Sequence, residues 1–183
     1  IKIWDPARIS KSPAIFDPLK LRAINAAYIR ALPAEEFRKL ADPFIDQAVH
    51  VQIDRDLLCA NLQPRCEVLE DIPPQLDFFD AVLPIDAEMY RNKKQKTTPE
   101  SAKEALSALL PVLEAQTDWS RDAIFEACKQ KAEAMEKKNG WLLFPLGIAL
   151  SGKARTPGGG TDLAAMMGKE ETLRRLNAAI EAL

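Results

Sequence analysis

The sequence has little of what metal-binding, disulfide-bonded or membrane-spanning proteins need. It contains one histidine, His50, and three cysteines, Cys59, Cys66 and Cys128. These residues fit no usual zinc spacing, and an odd cysteine count without a secretion signal indicates reduced thiols. No apolar stretch approaches the ~20 residues that cross a bilayer, and the first residues lack the apolar centre of a signal sequence. We therefore expect a cytoplasmic protein with buried structural cysteines, no metal and no membrane association.

The charge is nearly balanced but unevenly distributed. The 183 residues carry a net charge of −2, and 47% of them are apolar, which is ordinary for one good-sized domain or two small ones. Six basic and two acidic side chains lie in residues 1–32, four and thirteen in residues 33–90, and fifteen and twelve in residues 91–183. This distribution permits contact between a limited basic face and phosphates without implying it.

Helical periodicity dominates the chain, and we predict an all-α fold. In TPESAKEALSALLPVLEAQ, Thr98, Pro99 and Glu100 form a helix start. The core stripe that follows comprises Ala102, Ala105, Leu106, Leu109, Leu110 and Leu113. A second stripe, begun by Ser120 and ended by Asn139-Gly140, comprises Ile124, Phe125, Cys128, Ala132 and Met135. A last helix follows Gly168.

Strand signals are short, and the chain shows one candidate joint. Alternation occurs only in IKIW at residues 1–4 and around Val49, Val51 and Ile53. The prolines at 73, 74 and 84 precede the basic stretch RNKKQKTTP, residues 91–99, which is typical of a connection between two helical halves. The sequence predicts this boundary near residue 95.

One short motif suggests a nucleotide site. GIALSGKA, residues 147–154, matches the phosphate-loop pattern G-x-x-x-x-G-K-[ST] except at Ala154, where a hydroxyl should bind Mg²⁺. The residues between the two glycines are mostly apolar and include the β-branched Ile148, which favours a buried helix. We therefore expect a helix that ends at Gly152 and no phosphate loop.

A longer segment resembles a known family. SKSPAIFDPLKLRAINAAYIRALP, residues 10–33, is similar to a segment that follows the catalytic domain of bacterial glutamyl-tRNA synthetases. The matching residues are Ser12, Pro13, Ala14, Phe16, Asp17, Lys20, Leu21, Asn25, Tyr28, Ile29 and Arg30. The resemblance continues through QPRCEVLEDIP (63–73), DWSRDAIFEAC (118–128), PLGIALSG (145–152) and MGKEETLRRL (167–176), so it covers the whole chain.

The resemblance implies a domain organisation. Residues 1–32 are expected to be the tail of a stem-contact domain, and residues 33–95 and 96–183 two helical anticodon-binding subdomains of the α-helical cage type. The catalytic domain, which holds ATP and Mg²⁺ in this family, is missing. We therefore expect no cofactor and no catalytic residue in this chain, and we interpret it as a piece of a longer protein.

The resemblance also implies site residues. Arg65 corresponds to the arginine that recognises the last anticodon base, and its presence instead of Gln suggests selectivity for tRNA-Glu. The remaining predicted anticodon contacts are Gly147, Lys153, Arg155 and Thr156. Gly147 stands where relatives often have an arginine, so Lys153 and Arg155 are expected to substitute electrostatically. The predicted tRNA-stem contacts are Lys11, Lys20, Arg22 and Arg30.

The sequence allows two alternative interpretations. Without the resemblance, Arg65 is better explained as a surface ion pair with Glu67 or Glu70, and the other basic residues as solvated helix faces. The predicted function is recognition of tRNA-Glu by a monomer, within an enzyme that attaches glutamate to tRNA-Glu using ATP. The alternative is a helical protein-interaction module that kept the fold and lost RNA recognition.

Overall fold

Helices and turns make up the described structure. A computed structural model describes residues 16–81 and 83–183, so IKIW and Lys11 lie outside the described part. Within it, an isolated antiparallel bridge between Asn92 and Thr97 is the only β pairing. The predicted all-α fold is therefore confirmed. The α-helices are α1 (Pro18–Ala31), α2 (Ala34–Ile45), α3 (Arg55–Leu62), α4 (Pro99–Ala115), α5 (Arg121–Ala134), α6 (Asn139–Ser151), α7 (Gly160–Met167) and α8 (Lys169–Ala182). Short 3₁₀ turns lie at Gln63–Arg65, Leu69–Asp71, Pro73–Gln75 and Ala87–Tyr90.

Helix α4 begins as its sequence predicts. The Thr98 hydroxyl accepts a hydrogen bond from the Ser101 N–H at 3.3 Å, and the Ser101 hydroxyl accepts one from the Thr98 N–H at 2.8 Å. This reciprocal capping satisfies two donors that a helix start otherwise leaves unpaired. Five of the six predicted stripe residues are fully buried, and Leu110 is half-buried.

The predicted end of α5 is wrong. Ser120 caps its start as expected, but the helix stops at Ala134, and Glu136 takes a left-handed conformation with φ of 54°. A non-glycine residue in this conformation gives no clear sequence signal. Asn139 and Gly140 instead form the first turn of α6, where a side chain at 140 would collide with the Gln95 amide.

The phosphate-loop motif is helical, as predicted. Its residues up to Ser151 belong to α6, and Ile148, Ala149 and Leu150 are buried. Gly152 ends the helix with φ of +66°, which glycine adopts without strain. No loop is therefore present to surround a phosphate between Gly147 and Gly152.

Apolar residues on both sides of residue 95 form one continuous buried cluster. The helices before and after this position are also joined by the backbone, since the Asp54 N–H at the start of α3 donates to the Met166 carbonyl of α7 at 3.1 Å. The division at residues 32 and 95 stays a prediction.

A buried arginine joins three segments at the centre of the fold. Arg175 of α8 is 1% exposed. Its guanidinium donates to the carbonyls of Phe78 at 2.7 Å, Phe79 at 2.8 Å and Leu150 at 2.6 Å. Its Nε donates to Glu171 at 2.5 Å. A buried charge is tolerated only when it is paired and hydrogen-bonded in this way.

We expect Arg175→Met to lower the free energy of unfolding by about 3–5 kcal/mol, because it leaves buried carbonyls without donors. The matched control is Arg174→Met on the same helix. Arg174 is 59% exposed and pairs with Glu171 at the surface, so its loss should cost no more than about 1 kcal/mol. Urea unfolding measures both values, and equal losses would contradict the central role of Arg175.

Glu171 should make stability depend on acid pH. Hydrogen bonds from Arg174 and Arg175 lower its pKa from 4.5 to about 2. A depressed pKa gives stability that is present above the unfolded value and is lost as the pH falls towards the folded value. We expect Glu171→Gln to flatten the decline in unfolding free energy below about pH 5. Glu170→Gln, next to it, serves as the control and should leave the wild-type slope.

Candidate nucleic-acid interface

All five predicted anticodon residues line one cleft of about 680 Å³. Helix α6 forms one wall, the loop after Gly152 and the start of α7 form another, and the 3₁₀ turn after α3 contributes Arg65. The five residues are Arg65, Gly147, Lys153, Arg155 and Thr156. Segments far apart in sequence therefore meet at one place, while the individual roles of these residues stay predictions.

Arg65 holds the loop across the cleft. Its Nη1 donates to the Pro157 carbonyl at 2.5 Å, over a separation of 92 residues. Neither of the ion pairs considered for it forms among the described residues, since Glu67 pairs with Arg22 instead. The guanidinium has five N–H donors, so one bond to Pro157 leaves most of the fork available.

The two predicted cations of the loop differ in their surroundings. Lys153 donates to the Pro74 carbonyl at 2.8 Å and forms an ion pair with Asp77. Its Nζ also lies 6.0 Å from the centre of the Phe78 ring. Arg155 is exposed and makes no ion pair within the described part of the chain. Lys153 therefore fixes the loop, whereas the charge of Arg155 is not paired with an acidic side chain among the described residues.

The glycine run after Pro157 is held at both ends. The Thr156 hydroxyl donates to the Gly158 carbonyl at 2.5 Å. The Gly159 N–H donates to Asp162 at 2.7 Å, and Asp162 also accepts from Arg121 of α5 at 3.0 Å. Helix α7 begins at Gly160, so the run is partly the first turn of a helix.

Gly147 and Gly160 form the crossing of α6 and α7. A Cβ atom at Gly160 would lie 2.8 Å from the Leu143 carbonyl oxygen and 2.9 Å from the Gly147 nitrogen, which is closer than such atoms approach. A Cβ atom at Gly147 would meet the Gly160 nitrogen at 3.7 Å, an ordinary contact. The crossing therefore requires glycine at 160 only.

The cleft also has an apolar wall that the sequence reasoning missed. Leu143, Phe144 and Ile148 of α6 line it together with Gln75. The sequence spacing could have predicted this wall, because Leu143 and Phe144 lie four and three residues before Gly147 and so share its side of a helix. An aromatic ring beside arginines is the combination on which an unstacked base can stack.

The predicted stem contacts lie on α1, apart from Lys11, which is outside the described residues. Arg22 is engaged by Glu67 and Asp71, whereas Lys20 and Arg30 are exposed and make no ion pair among the residues described. Gln63, two residues before Arg65, donates to the Ile29 carbonyl at 3.1 Å and to the Leu32 carbonyl at 2.8 Å. The end of α1 is thereby attached to the turn that presents Arg65.

The cysteines are buried, as predicted. All three are buried and free, and burial raises the pKa to about 11 for Cys59 and Cys66 and to about 12 for Cys128. They are therefore protonated thiols near neutral pH. Within residues 16–81 and 83–183, no three His, Cys, Asp or Glu side chains cluster as a metal site, and no helix is long and apolar enough to cross a membrane.

Comparison with known proteins gives consistent matches. Residues 26–180 match the family described as anticodon binding domain. The chain is 42% identical over 183 residues to the glutamate–tRNA ligase of Clostridium botulinum strain Hall, and 41% identical over 184 residues to that of Clostridium acetobutylicum. Each match covers all of this chain and 38% of the ligase. The chain thus spans just over a third of the length of these curated relatives.

A solved structure shares the fold. The glutamate tRNA ligase of Elizabethkingia meningosepticum, crystallised in complex with its amino acid, aligns with a TM-score of 0.79 and 25% sequence identity. The alignment covers 98% of this chain and 35% of that one.

The helix crossing gives a paired prediction. Gly160→Ala should lower the free energy of unfolding by about 1–3 kcal/mol, because backbone atoms of α6 cannot move away from the new methyl group. Gly147→Ala should raise it by about 0.5–1 kcal/mol, because alanine has the higher helix propensity and space for its methyl group exists. Urea unfolding of both variants measures the difference, and a stabilising Gly160→Ala would contradict the crossing.

Proposed function

Because the chain belongs to the anticodon-binding domain family, we propose that it binds the anticodon loop of tRNA-Glu in the cleft between α6, α7 and Arg65. The observation that carries this proposal is the meeting of Arg65, Arg155 and Phe144 around one open space. Two guanidinium groups supply donors and positive charge, and the ring supplies a stacking surface. Single-stranded loops with unstacked bases are recognised by this combination.

Arg65 is suited to distinguishing a base. Its fork can donate two parallel hydrogen bonds to a base edge, and the bond to Pro157 restricts its position before RNA binds. A side chain held near its bound conformation loses less entropy on binding. We assign the last anticodon base to Arg65 on these grounds and on the resemblance of QPRCEVLEDIP to the family segment.

Catalysis belongs to the part of the ligase that this chain does not contain. We propose that the longer protein activates glutamate with ATP and Mg²⁺ and transfers it to tRNA-Glu, while this chain takes neither ligand. The helical state of residues 147–151 supports the proposal, since the motif GIALSGKA forms no phosphate loop. Monomeric state, cytoplasmic location and selectivity against tRNA-Gln are parts of the same proposal.

Binding of the 183-residue chain to tRNA transcripts tests the proposal. We expect tRNA-Glu to bind with an affinity that falls as salt rises, and to bind about tenfold or more tightly than the same transcript with guanine as the last anticodon base, because one mismatched base costs on the order of 1–3 kcal/mol. Equal and negligible binding of all transcripts at low salt would overturn the proposal and favour a protein-interaction module.

Variants at Arg65 and Arg155 distinguish recognition of the last base from general electrostatic attraction to RNA in the same assay. Arg65→Lys keeps the charge and loses the fork, so it should reduce the preference at the last base and leave the salt dependence unchanged. Arg155→Gln should weaken both transcripts equally and reduce the slope of log affinity against log salt by about one. Arg91→Gln, which removes an exposed arginine paired with Glu88, is the control. An unchanged base preference in Arg65→Lys would remove Arg65 from the recognition site.

A further inference from the structure

Two lysine-rich loops meet at the start of α6. The first loop, residues 91–98, leads into α4, and the second, residues 135–138, joins α5 to α6. They lie together because the side-chain amide of Gln95 rests against Gly140 in the first turn of α6. The exposed lysines of the two loops, here called the lysine surface, are Lys93, Lys94, Lys96, Lys137 and Lys138.

The first loop has a fixed backbone. Asn92 and Thr97 exchange two backbone hydrogen bonds, at 3.0 and 3.1 Å. The side-chain oxygen of Asn92 also accepts from the N–H groups of Lys94 at 3.0 Å and Gln95 at 3.1 Å. A loop that is already ordered loses little backbone entropy when a partner binds to it.

The positive charge of the lysine surface is not neutralised by neighbouring side chains. Within residues 16–81 and 83–183, the lysines that form ion pairs are Lys129 and Lys153, and neither belongs to this surface. Residues 92–98 contain no acidic residue, and residues 135–138 contain only Glu136. A local excess of positive charge in a chain with a net charge of −2 attracts a polyanion to this end of α6.

The chemistry of this surface fits a nucleic-acid backbone better than a protein. The centres of protein interfaces are poor in lysine and rich in aromatic residues and methionine. In the described part of the chain, the exposed large apolar side chains all lie between Phe16 and Val51, so none belongs to the lysine surface. Lysine is a compact point charge that suits phosphates and carries no information about bases.

The lysine surface lies at one end of the α6 wall of the cleft. Gly140, which contacts the first loop, lies three residues before Leu143 and four before Phe144, so it shares their side of the helix. The rise of a helix places Gly140 about 6 Å from Phe144 along the axis. A stacked strand advances about 3.4 Å per nucleotide, so a strand that leaves the cleft along α6 reaches the lysines within a few nucleotides.

We propose that the lysine surface binds the phosphates of the tRNA strand beside the anticodon, while the cleft holds the anticodon bases. This inference rests on the proposed function and extends its site along α6. The contact should add affinity for every tRNA sequence and none of the preference at the last anticodon base, because phosphates are the same in all sequences.

A charge-matched pair of double variants tests the proposal with the two transcripts used above. Lys94→Gln/Lys138→Gln removes one lysine from each loop. It should weaken both transcripts about tenfold or more at about 50 mM salt and reduce the slope of log affinity against log salt by about 1.5 to 2. The preference at the last base should not change. Lys39→Gln/Lys129→Gln makes the same change of charge on α2 and α5, and should leave affinity within about twofold.

Site-directed cleavage of the RNA tests the location. The three native cysteines are buried, so an iron-EDTA reagent attached through a thiol should label Lys94→Cys selectively. We expect the labelled chain to cleave the tRNA backbone next to the anticodon. The same label on Lys39→Cys is the control and should not cleave those nucleotides.

The outcomes distinguish this proposal from the proposed function. If the wild-type chain prefers tRNA-Glu but Lys94→Gln/Lys138→Gln matches its control, the phosphate contact is overturned, the anticodon cleft stands, and an acidic protein becomes the better partner for the lysine surface. Cleavage from Lys94→Cys only at nucleotides away from the anticodon arm also overturns it. Absence of tRNA binding by the wild-type chain overturns the proposed function itself.

Discussion

The hydrogen bonds of Arg175 are the constraint on which the rest of this fold depends. Helix α6 ends inside the protein, where the carbonyls of its last turn are away from water and cannot all be paired within the helix. Arg175 donates to one of them, on Leu150, and to the adjacent carbonyls of Phe78 and Phe79. One side chain thus satisfies groups from two distant segments and attaches both to α8. Its ion pair with Glu171 offsets part of the cost of burying the charge.

The candidate interface follows from this arrangement. Once the end of α6 is fixed, Gly152 turns the chain into the loop that carries Lys153 and Arg155. Lys153 then attaches this loop to Pro74 and Asp77, just before the segment that Arg175 holds. The chain returns to α6 where Gly160 crosses Gly147. The cleft is therefore the space enclosed by a loop whose start and return are both fixed to the core.

The sequence predicts the parts of this structure that depend on local chemistry. Capping at Thr98 and the apolar stripe of α4 need only neighbouring residues, and both are confirmed. Arg175 and Gly160 acquire their roles from partners that are distant along the chain, so no periodicity reveals them. The resemblance predicts five site residues, and the structure places all five in one cleft. The resemblance could not show that Asp77 neutralises Lys153, because that ion pair depends on where the loop folds back.

Gly147 determines the chemical character of the α6 wall of the cleft. An arginine at this position would project from α6 towards the first turn of α7, beside Phe144. Without it, the α6 wall of the cleft is apolar, and Arg65 and Arg155 are the arginines of the lining that supply donors. In the proposed complex, bases that rest on the α6 wall gain affinity from stacking and burial rather than from hydrogen bonds. Because stacking accepts every base, the proposed complex concentrates discrimination on the base that meets Arg65.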